Sequence, residues 1–344
     1  GLACEEFALS RMVIHDAKRD RWTLENGPFA EDRFATLPQT DWTLLVQDVD
    51  KWDADVGALL AAFDFLPSWR IDDIMVSFAV DGGSVGAHVD QYDVFLLQAQ
   101  GQRRWQIDTS AHPSNEFRDD AELRLLREFH ANHDWLLGPG DMLYLPPGVP
   151  HHGIAVGDCL TFSIGMRAPA ASELVVDFAE SLAESMPDEQ RYRDAGMDLP
   201  ADAGEIDAAA LRRVRDALQA LSSVDDESLK TWFPRFITRY RAANTPAPRP
   251  KPLSAAQWQK ECAAGTQLLR NPWARLAWVH NGDDAMLHAC GEPYRCSLLI
   301  ARRLCATSAT LDCELATLDA RDAAVVLDLI NAGMLGLRKP RRSS

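Results

Sequence analysis

Two short segments of the 344-residue chain carry side chains able to hold a transition metal. The first is His88-Val89-Asp90, in which an imidazole and a carboxylate two positions apart share one face of a strand. Gly82, Gly83 and Gly86 precede it and let the backbone turn tightly into that strand. The second is Gly140-Asp141-Met142-Leu143-Tyr144-Leu145-Pro146-Pro147-Gly148-Val149-Pro150-His151-His152-Gly153. Here a strand ends in a rigid proline-rich turn that fixes where the following imidazole points. Two imidazoles and one carboxylate on one side of a metal leave open positions on the other. Non-haem Fe(II) uses that arrangement to take a bidentate keto acid and dioxygen (O2). An H-x-D alone is weak evidence; the second segment gives it force. The competing reading is a pair of histidines capping a surface turn.

A keto acid with a second carboxylate, such as 2-oxoglutarate, needs a cation at its far end. Arg103 follows His88 by one hairpin, and its planar fork binds a carboxylate at two points. Arg104 is expected on the opposite strand face as a surface charge. Thr161 or Ser163 would add a hydroxyl to the same carboxylate, unless both are ordinary strand hydroxyls. His130 and His133, beside Asp134, lack a third ligand and read as solvated loop residues. His112 precedes a proline and reads as turn, and His280 and His288 lie far along the chain.

Strands are expected at 75–80, 94–97, 104–107, 141–145 and 159–164, separated by Gly, Pro and Asp turns, which implies a barrel or sandwich. From 172 to 240 the pattern is helical. Leu211, Val214, Leu218 and Leu221 form one apolar stripe, and Trp232, Phe233, Phe236, Ile237 and Tyr240 repeat its spacing. Each stripe faces either the chain's own core or a second copy. Residues 244–252 carry four prolines and read as a linker. Beyond it come a helix at 254–270, strand-like stretches at 273–279 and 285–289, and helices at 297–305 and 321–331. That small α+β order suits a winged helix. The division is therefore 1–170 barrel, 171–243 helical region, 244–252 linker and 253–344 winged-helix-like domain.

Composition is that of an ordinary globular protein, 47% hydrophobic and 25% charged. No apolar run approaches the roughly 20 residues of a membrane span. A net charge of −16 argues against nucleic-acid binding and is compatible with a basic protein partner. Residues 253–344 hold 11 Lys/Arg and 9 Asp/Glu, so the acidity lies in the first three quarters. Four of those cations, Arg338, Lys339, Arg341 and Arg342, sit in the final tail. Seven cysteines without a C-x-x-C, Cys313 among them, read as reduced thiols in a cytoplasmic protein. The chain opens without Met, on a helix-like stretch and without signal-peptide regions, so its natural start is expected earlier.

The run from Ser77 to Phe95, the Gln102-Arg103-Arg104-Trp105 stretch, the Pro-Pro-Gly-x-Pro-His turn and Ser163-Ile164-Gly165-Met166-Arg167-Ala168-Pro169 closely resemble the bacterial JmjC ribosomal oxygenases. The resemblance is strongest to the group that hydroxylates an arginine of large-subunit ribosomal protein sixteen. It implies a double-stranded β-helix (a JmjC/cupin barrel), a helical dimerisation region and a C-terminal winged helix. It implies that His88, Asp90 and His151 are the Fe2+ ligands, because the family's histidine directly follows the proline. Strand parity agrees that only one of His151 and His152 can face the barrel. Arg103 falls on the 2-oxoglutarate-binding residue. Gln91, Tyr92 and Asp93 would border the substrate groove or line the wall, and Asp81 or Asp93 would receive a guanidinium. The implied reaction is hydroxylation of an arginine β-carbon in a basic ribosomal protein, by a homodimer. The alternatives are another target (histidyl hydroxylation or lysine demethylation) or a non-enzymatic cupin that uses its winged helix on DNA.

Overall fold

The computed structural model describes residues 1–189, 191–193, 206–218, 224–306, 310–311 and 318–338. Leu221, Cys313, Lys339, Arg341 and Arg342 lie outside the described residues.

Nine antiparallel strands build the barrel: β1 (Ser10–Asp16), β2 (Arg21–Asn26), β3 (Trp42–Val46), β4 (Ile71–Ala79), β5 (His88–Val89), β6 (Val94–Ile107), β7 (His133–Leu137), β8 (Met142–Leu145) and β9 (Pro150–Met166). Their order is β2-β1-β3-β4-β9-β6-β7, with β5 on β9 and β8 on β6. Strands β6 and β9 pair along nearly their whole length and each serves two halves of the barrel. Strand β6 takes β8 at its start and β7 at its end, while β9 takes β5 and then β4. This is the double-stranded β-helix.

The strands expected at 94–97 and 104–107 are one strand. Gln100-Gly101-Gln102 interrupts its apolar pattern, and there the register with β9 shifts. Gly101 has φ +64, and a Cβ on it would stand 2.1 Å from the Asp158 carbonyl oxygen. The irregularity reverses side-chain parity, as a β-bulge does. Before it the even residues Val94, Leu96 and Gln98 are buried; after it the odd residues Arg103, Trp105 and Ile107 are. Without the bulge Arg103 would face solvent. Gly101→Ala is therefore expected to lower the thermal midpoint and to weaken 2-oxoglutarate binding together, because the left-handed conformation alone costs an L-residue roughly 1–2 kcal/mol. Calorimetry on the variant checks both.

The N-terminal stretch is not helical beyond a single 3-10 turn, Leu2–Cys4, and β1–β3 went unforeseen there although 11–14 and 42–46 are apolar enough for strands. Two short helices, α1 (Val49–Trp52) and α2 (Ala54–Ala58), lead into turns that cover the outer barrel face. Phe63 packs there on Ile71, Ile74, Ile164 and Met166.

After the barrel the chain forms α3 (Ala171–Ser185), α4 (Ala208–Ala217) and α5 (Asp226–Arg239). The second apolar stripe is core: Trp232, Phe236 and Ile237 bury against Ala277, with Trp69, Leu174 and Phe178 beside them. The first stripe stays open, with Leu211 55% and Leu218 56% exposed.

The C-terminal domain runs α6 (Ala255–Ala263), β10 (Gln267–Arg270), β11 (Leu276–Asn281), β12 (Asp284–Ala289), β13 (Glu292–Cys296), α7 (Leu298–Leu304), β14 (Thr310–Leu311), α8 (Ala320–Asn331) and β15 (Leu335–Arg338). Its two sheets are β14-β10-β15 and β11-β12-β13. The helix expected over 254–270 stops at Ala263. Gly265 is left-handed at φ +70. Its N–H and that of Thr266 return to the Cys262 and Glu261 carbonyls, a terminating motif that satisfies the helix end. Residues 244–252 run against α8, where the Arg249 N–H donates to the Asn331 carbonyl at 2.8 Å. Asp72 ties the barrel to this domain by accepting from Arg167 Nε at 3.1 Å and Arg275 Nη2 at 2.9 Å.

Candidate metal centre and carboxylate pocket

The short strand β5 exists to set His88 against His151: the two are register partners across β5 and β9. Their ring centroids are 4.2 Å apart. His88 Nδ1 lies 3.0 Å from the Gly86 carbonyl oxygen and His151 Nδ1 2.9 Å from that of Val149. A carbonyl only accepts, so each Nδ1 carries the proton and each Nε2 presents a lone pair. Both Nε2 atoms converge on Asp90 Oδ2, at 3.8 and 3.7 Å. The Gly148 N–H donates to the Asp90 carbonyl at 2.8 Å, which ties the Pro-Pro-Gly turn to the carboxylate's own residue. One donor atom from each of the three residues lies within 4.8 Å of the others. Two neutral imidazoles and a carboxylate fit a divalent first-row metal. Burial pushes the His151 imidazole down to about 3, with the His88 ring a second cause, so it stays neutral across the working range. The adjacent His152 points the other way, edge-on to Phe129 at 6.1 Å.

Arg103 lies on the same inward face, and only 6% of its surface is exposed. Its Nη1 reaches Ser77 Oγ at 3.4 Å, whereas Nε and Nη2 have no hydrogen-bond partner among the described residues. Burial lowers the guanidinium below its ordinary value, which marks how strongly the site wants an anion. The Trp105 ring stands 5.7 Å away, and no side chain fits between it and β9, since a Cβ on Gly153 would be 2.6 Å from that ring. Ser163 is buried on the inward face. Thr161 is too, but its Oγ1 already hydrogen-bonds Gln98 Oε1 at 3.0 Å. Ser77 was not singled out from sequence. Its inward parity on β4, opposite Thr161, was the available signal.

The residues expected to meet substrate are differently placed. Asp81 is exposed after β4, and its Oδ1 accepts from the Gly157 N–H at 2.8 Å. Asp93 accepts from Arg70 Nη2 at 3.0 Å and from the Tyr144 hydroxyl at 2.6 Å. Gln91 is exposed, and the Tyr92 hydroxyl meets the Asp90 carboxylate. Arg104 points outward to Asp134 at 3.1 Å. His133 is not in a loop: it lies on β7, stacked 5.1 Å from the Trp135 ring, while remaining exposed. His130 stays exposed, and His288 is buried in the C-terminal domain.

Barrel, triad and buried arginine together define a JmjC/cupin type of oxygenase fold, and comparison with known proteins narrows the class. A JmjC domain model matches residues 58–174, and a ROXA-like winged-helix model matches 203–336. An AraC-like ligand binding domain model matches 127–237, straddling the last barrel strands and the helices behind them. The ribosomal protein uL16 3-hydroxylase of Escherichia coli is 35% identical over 292 residues, 85% of this chain and 76% of that one. A probable ribosomal oxygenase of Haemophilus influenzae is 40% identical over 188 residues, 54% of this chain and 46% of its own length. The crystal structure of E. coli YcfD superposes with a TM-score of 0.82 at 32% identity, over 98% of this chain and 89% of that one. YcfD in complex with cobalt and 2-oxoglutarate gives a TM-score of 0.79 at 33% identity, with the same coverage. The chain belongs to the JmjC ribosomal oxygenase family.

Proposed function

We propose that this protein is an Fe(II)- and 2-oxoglutarate-dependent hydroxylase of an arginine β-carbon in a large-subunit ribosomal protein. The observation that carries the reading is the pairing of two unmet needs inside one barrel. A His-Asp-His cluster offers three donors on one side, and a buried guanidinium with two nitrogens unpartnered among the described residues lies on the same inward face. His88, Asp90 and His151 would hold the metal. Arg103, backed by Ser77, would take the far carboxylate of the keto acid, with Ser163 and Thr161 lining that end. Bound Fe(II) supplies the oxygen activation that couples oxidative decarboxylation of 2-oxoglutarate to succinate with hydroxylation of a C–H bond. The protein's share is to orient and to exclude water, through Leu96, Trp105 and Ile107 on the inner wall. The relative's name supports a ribosomal protein as substrate, and the chain's −16 charge suits a basic one.

The arginine reading assigns the substrate guanidinium to the rim carboxylates, with Gln91 and Tyr92 beside them. Asp93 is the better placed of the two: it follows Asp90 by three residues, though Arg70 and Tyr144 share it, whereas Asp81 accepts from the Gly157 N–H, six positions along β9 from His151. Asp93→Ala should raise the KM of an arginine-containing ribosomal peptide about tenfold or more, the cost of losing a charged hydrogen bond, and leave the 2-oxoglutarate KM unchanged. The decisive assay is peptide mass after anaerobic metal loading and oxygen exposure. A gain of one oxygen coupled to succinate supports the reading, and succinate without peptide oxidation removes the arginine assignment.

We infer also that the protein is a homodimer through its helical region, supported by the open stripe of α4 and by Val175 and Val176 on α3, 65% and 58% exposed. Leu211→Asp with Leu218→Asp should convert a dimeric sedimentation profile to a monomeric one while the barrel keeps its metal affinity. A wild type that sediments as a monomer would remove this inference. A cytoplasmic location is supported by the cysteines, none of which forms a disulfide among the described residues. No described helix is long and apolar enough to cross a membrane.

A further inference from the structure

The Arg103 guanidinium has to stand in one orientation to meet a carboxylate at two points, yet little holds it there. Its Nε and Nη2 are unpartnered, its contact with Ser77 is long, and it forms no ion pair with a described carboxylate. A further polar group beside the guanidinium is the thiol of Cys159, which is 2% exposed and faces the barrel interior. Its contact with the guanidinium is looser than a full hydrogen bond, as expected of a weak sulfur acceptor.

Cys159 is put there by the bulge that turns Arg103 inward. A Cβ at Gly101 would lie 2.9 Å from both Cα and Cβ of Cys159, so the bare glycine backbone lets β9 close against β6 at that point. Cys159 then pairs in register with Ala79, and Ala155 pairs with Arg103, so the three small residues form one buried cluster beside the strand position of Arg103. Among the described residues it is the one cysteine of the barrel interior: Cys4 lies before β1, and Cys262, Cys290, Cys296 and Cys305 lie in the C-terminal domain.

We propose that Cys159 is a positioning residue whose thiol orients the Arg103 fork and thereby sets the affinity for the far carboxylate of 2-oxoglutarate. The proposal rests on the reading of Arg103 as the carboxylate clamp. A neutral thiol suits the task better than a carboxylate. An Asp here would pair with Arg103 outright, and the cosubstrate would have to displace it. A weak, uncharged acceptor steers the fork and leaves its charge for the ligand. The bland alternative is a cysteine that only fills space beside two alanines.

Calorimetric titration of 2-oxoglutarate into cobalt-loaded full-length chain separates the two, using wild type, Cys159→Ser, Cys159→Val and Arg103→Ala, with KM values for cosubstrate and peptide measured alongside on the iron form. Cys159→Val, which is branched and somewhat larger and loses the acceptor, should raise the 2-oxoglutarate Kd and KM about five- to tenfold. Cys159→Ser should stay within about twofold of wild type, and kcat at saturation and the peptide KM should not move in either. If Cys159→Val fails to fold, Cys159→Ala takes its place, with a severalfold weakening that serine restores. Unchanged affinity in the valine or alanine variant overturns the proposal. Equal weakening in serine and valine with a lowered thermal midpoint also overturns it, in favour of space filling. Wild-type affinity in Arg103→Ala would remove the clamp reading itself.

Discussion

His151→Ala is expected to abolish coupled turnover and to weaken metal binding by well over about 100-fold, more than the loss of an outer-shell partner of a metal ligand costs. The expectation comes from geometry. Among the described residues three donors converge there, and the alanine removes the most buried of them. His152→Ala, one residue away, should leave metal affinity nearly unchanged, because that ring faces Phe129 rather than Asp90. Cobalt titration followed by visible absorption reads both variants without requiring turnover, and peptide mass reads the chemistry. Tight metal binding in His151→Ala, or its loss in His152→Ala, would show that the donor set is wrong.

Arg103→Met should remove 2-oxoglutarate binding almost entirely, raising the KM by about 100-fold or more, since truncating one side of a buried charge pair costs roughly 2–5 kcal/mol. The same change should stabilise the protein when no keto acid is present. Methionine keeps much of the arginine's volume and removes a buried cation whose Nε and Nη2 are unpaired. Arg103→Lys should fall between, because it keeps the charge and loses the fork. Thermal midpoints with and without 2-oxoglutarate separate the two effects. Wild type should rise on adding the ligand and the methionine variant should not. A methionine variant that is less stable than wild type without ligand would mean that the arginine is satisfied by protein groups.

The sites were more legible in sequence than the elements that hold them. His88, Asp90 and the histidine doublet stand out because few contexts other than a metal need that pattern beside a Pro-Pro-Gly turn. Arg103 was visible as a cation one hairpin away, but its inward orientation depends on the bulge at Gly101. Read as two clean strands on either side, 94–97 and 104–107, the sequence leaves undecided which face Arg103 occupies. Ser77 and Cys159 escaped notice because a hydroxyl or thiol on an apolar strand has no local signature. Only the pairings of β4 with β9, and of β9 with β6, bring them to the arginine. The winged-helix domain was recognisable from the order of its elements, and its four extra strands were not. Strands as short as Gln267–Arg270 and Glu292–Cys296 are specified by partners distant in the chain rather than by an alternation of their own. The helical stripes show the same limit: one proved to be core and the other surface, and nothing in their spacing distinguishes them.

Two adjacent histidines on β9 also constrain how the barrel can assemble. Successive strand residues alternate faces, so sliding β9 by one position against β5 would withdraw His151 and present His152 in its place. The doublet would still offer an imidazole, but from a strand whose Ser163, Thr161 and Cys159 had all rotated outward. Only one alignment puts the imidazole beside Asp90 while those three side chains face the arginine. A captured ion alone therefore does not distinguish the two alignments, and it is the keto acid's far carboxylate, held at Arg103, that reports whether β9 lies in register.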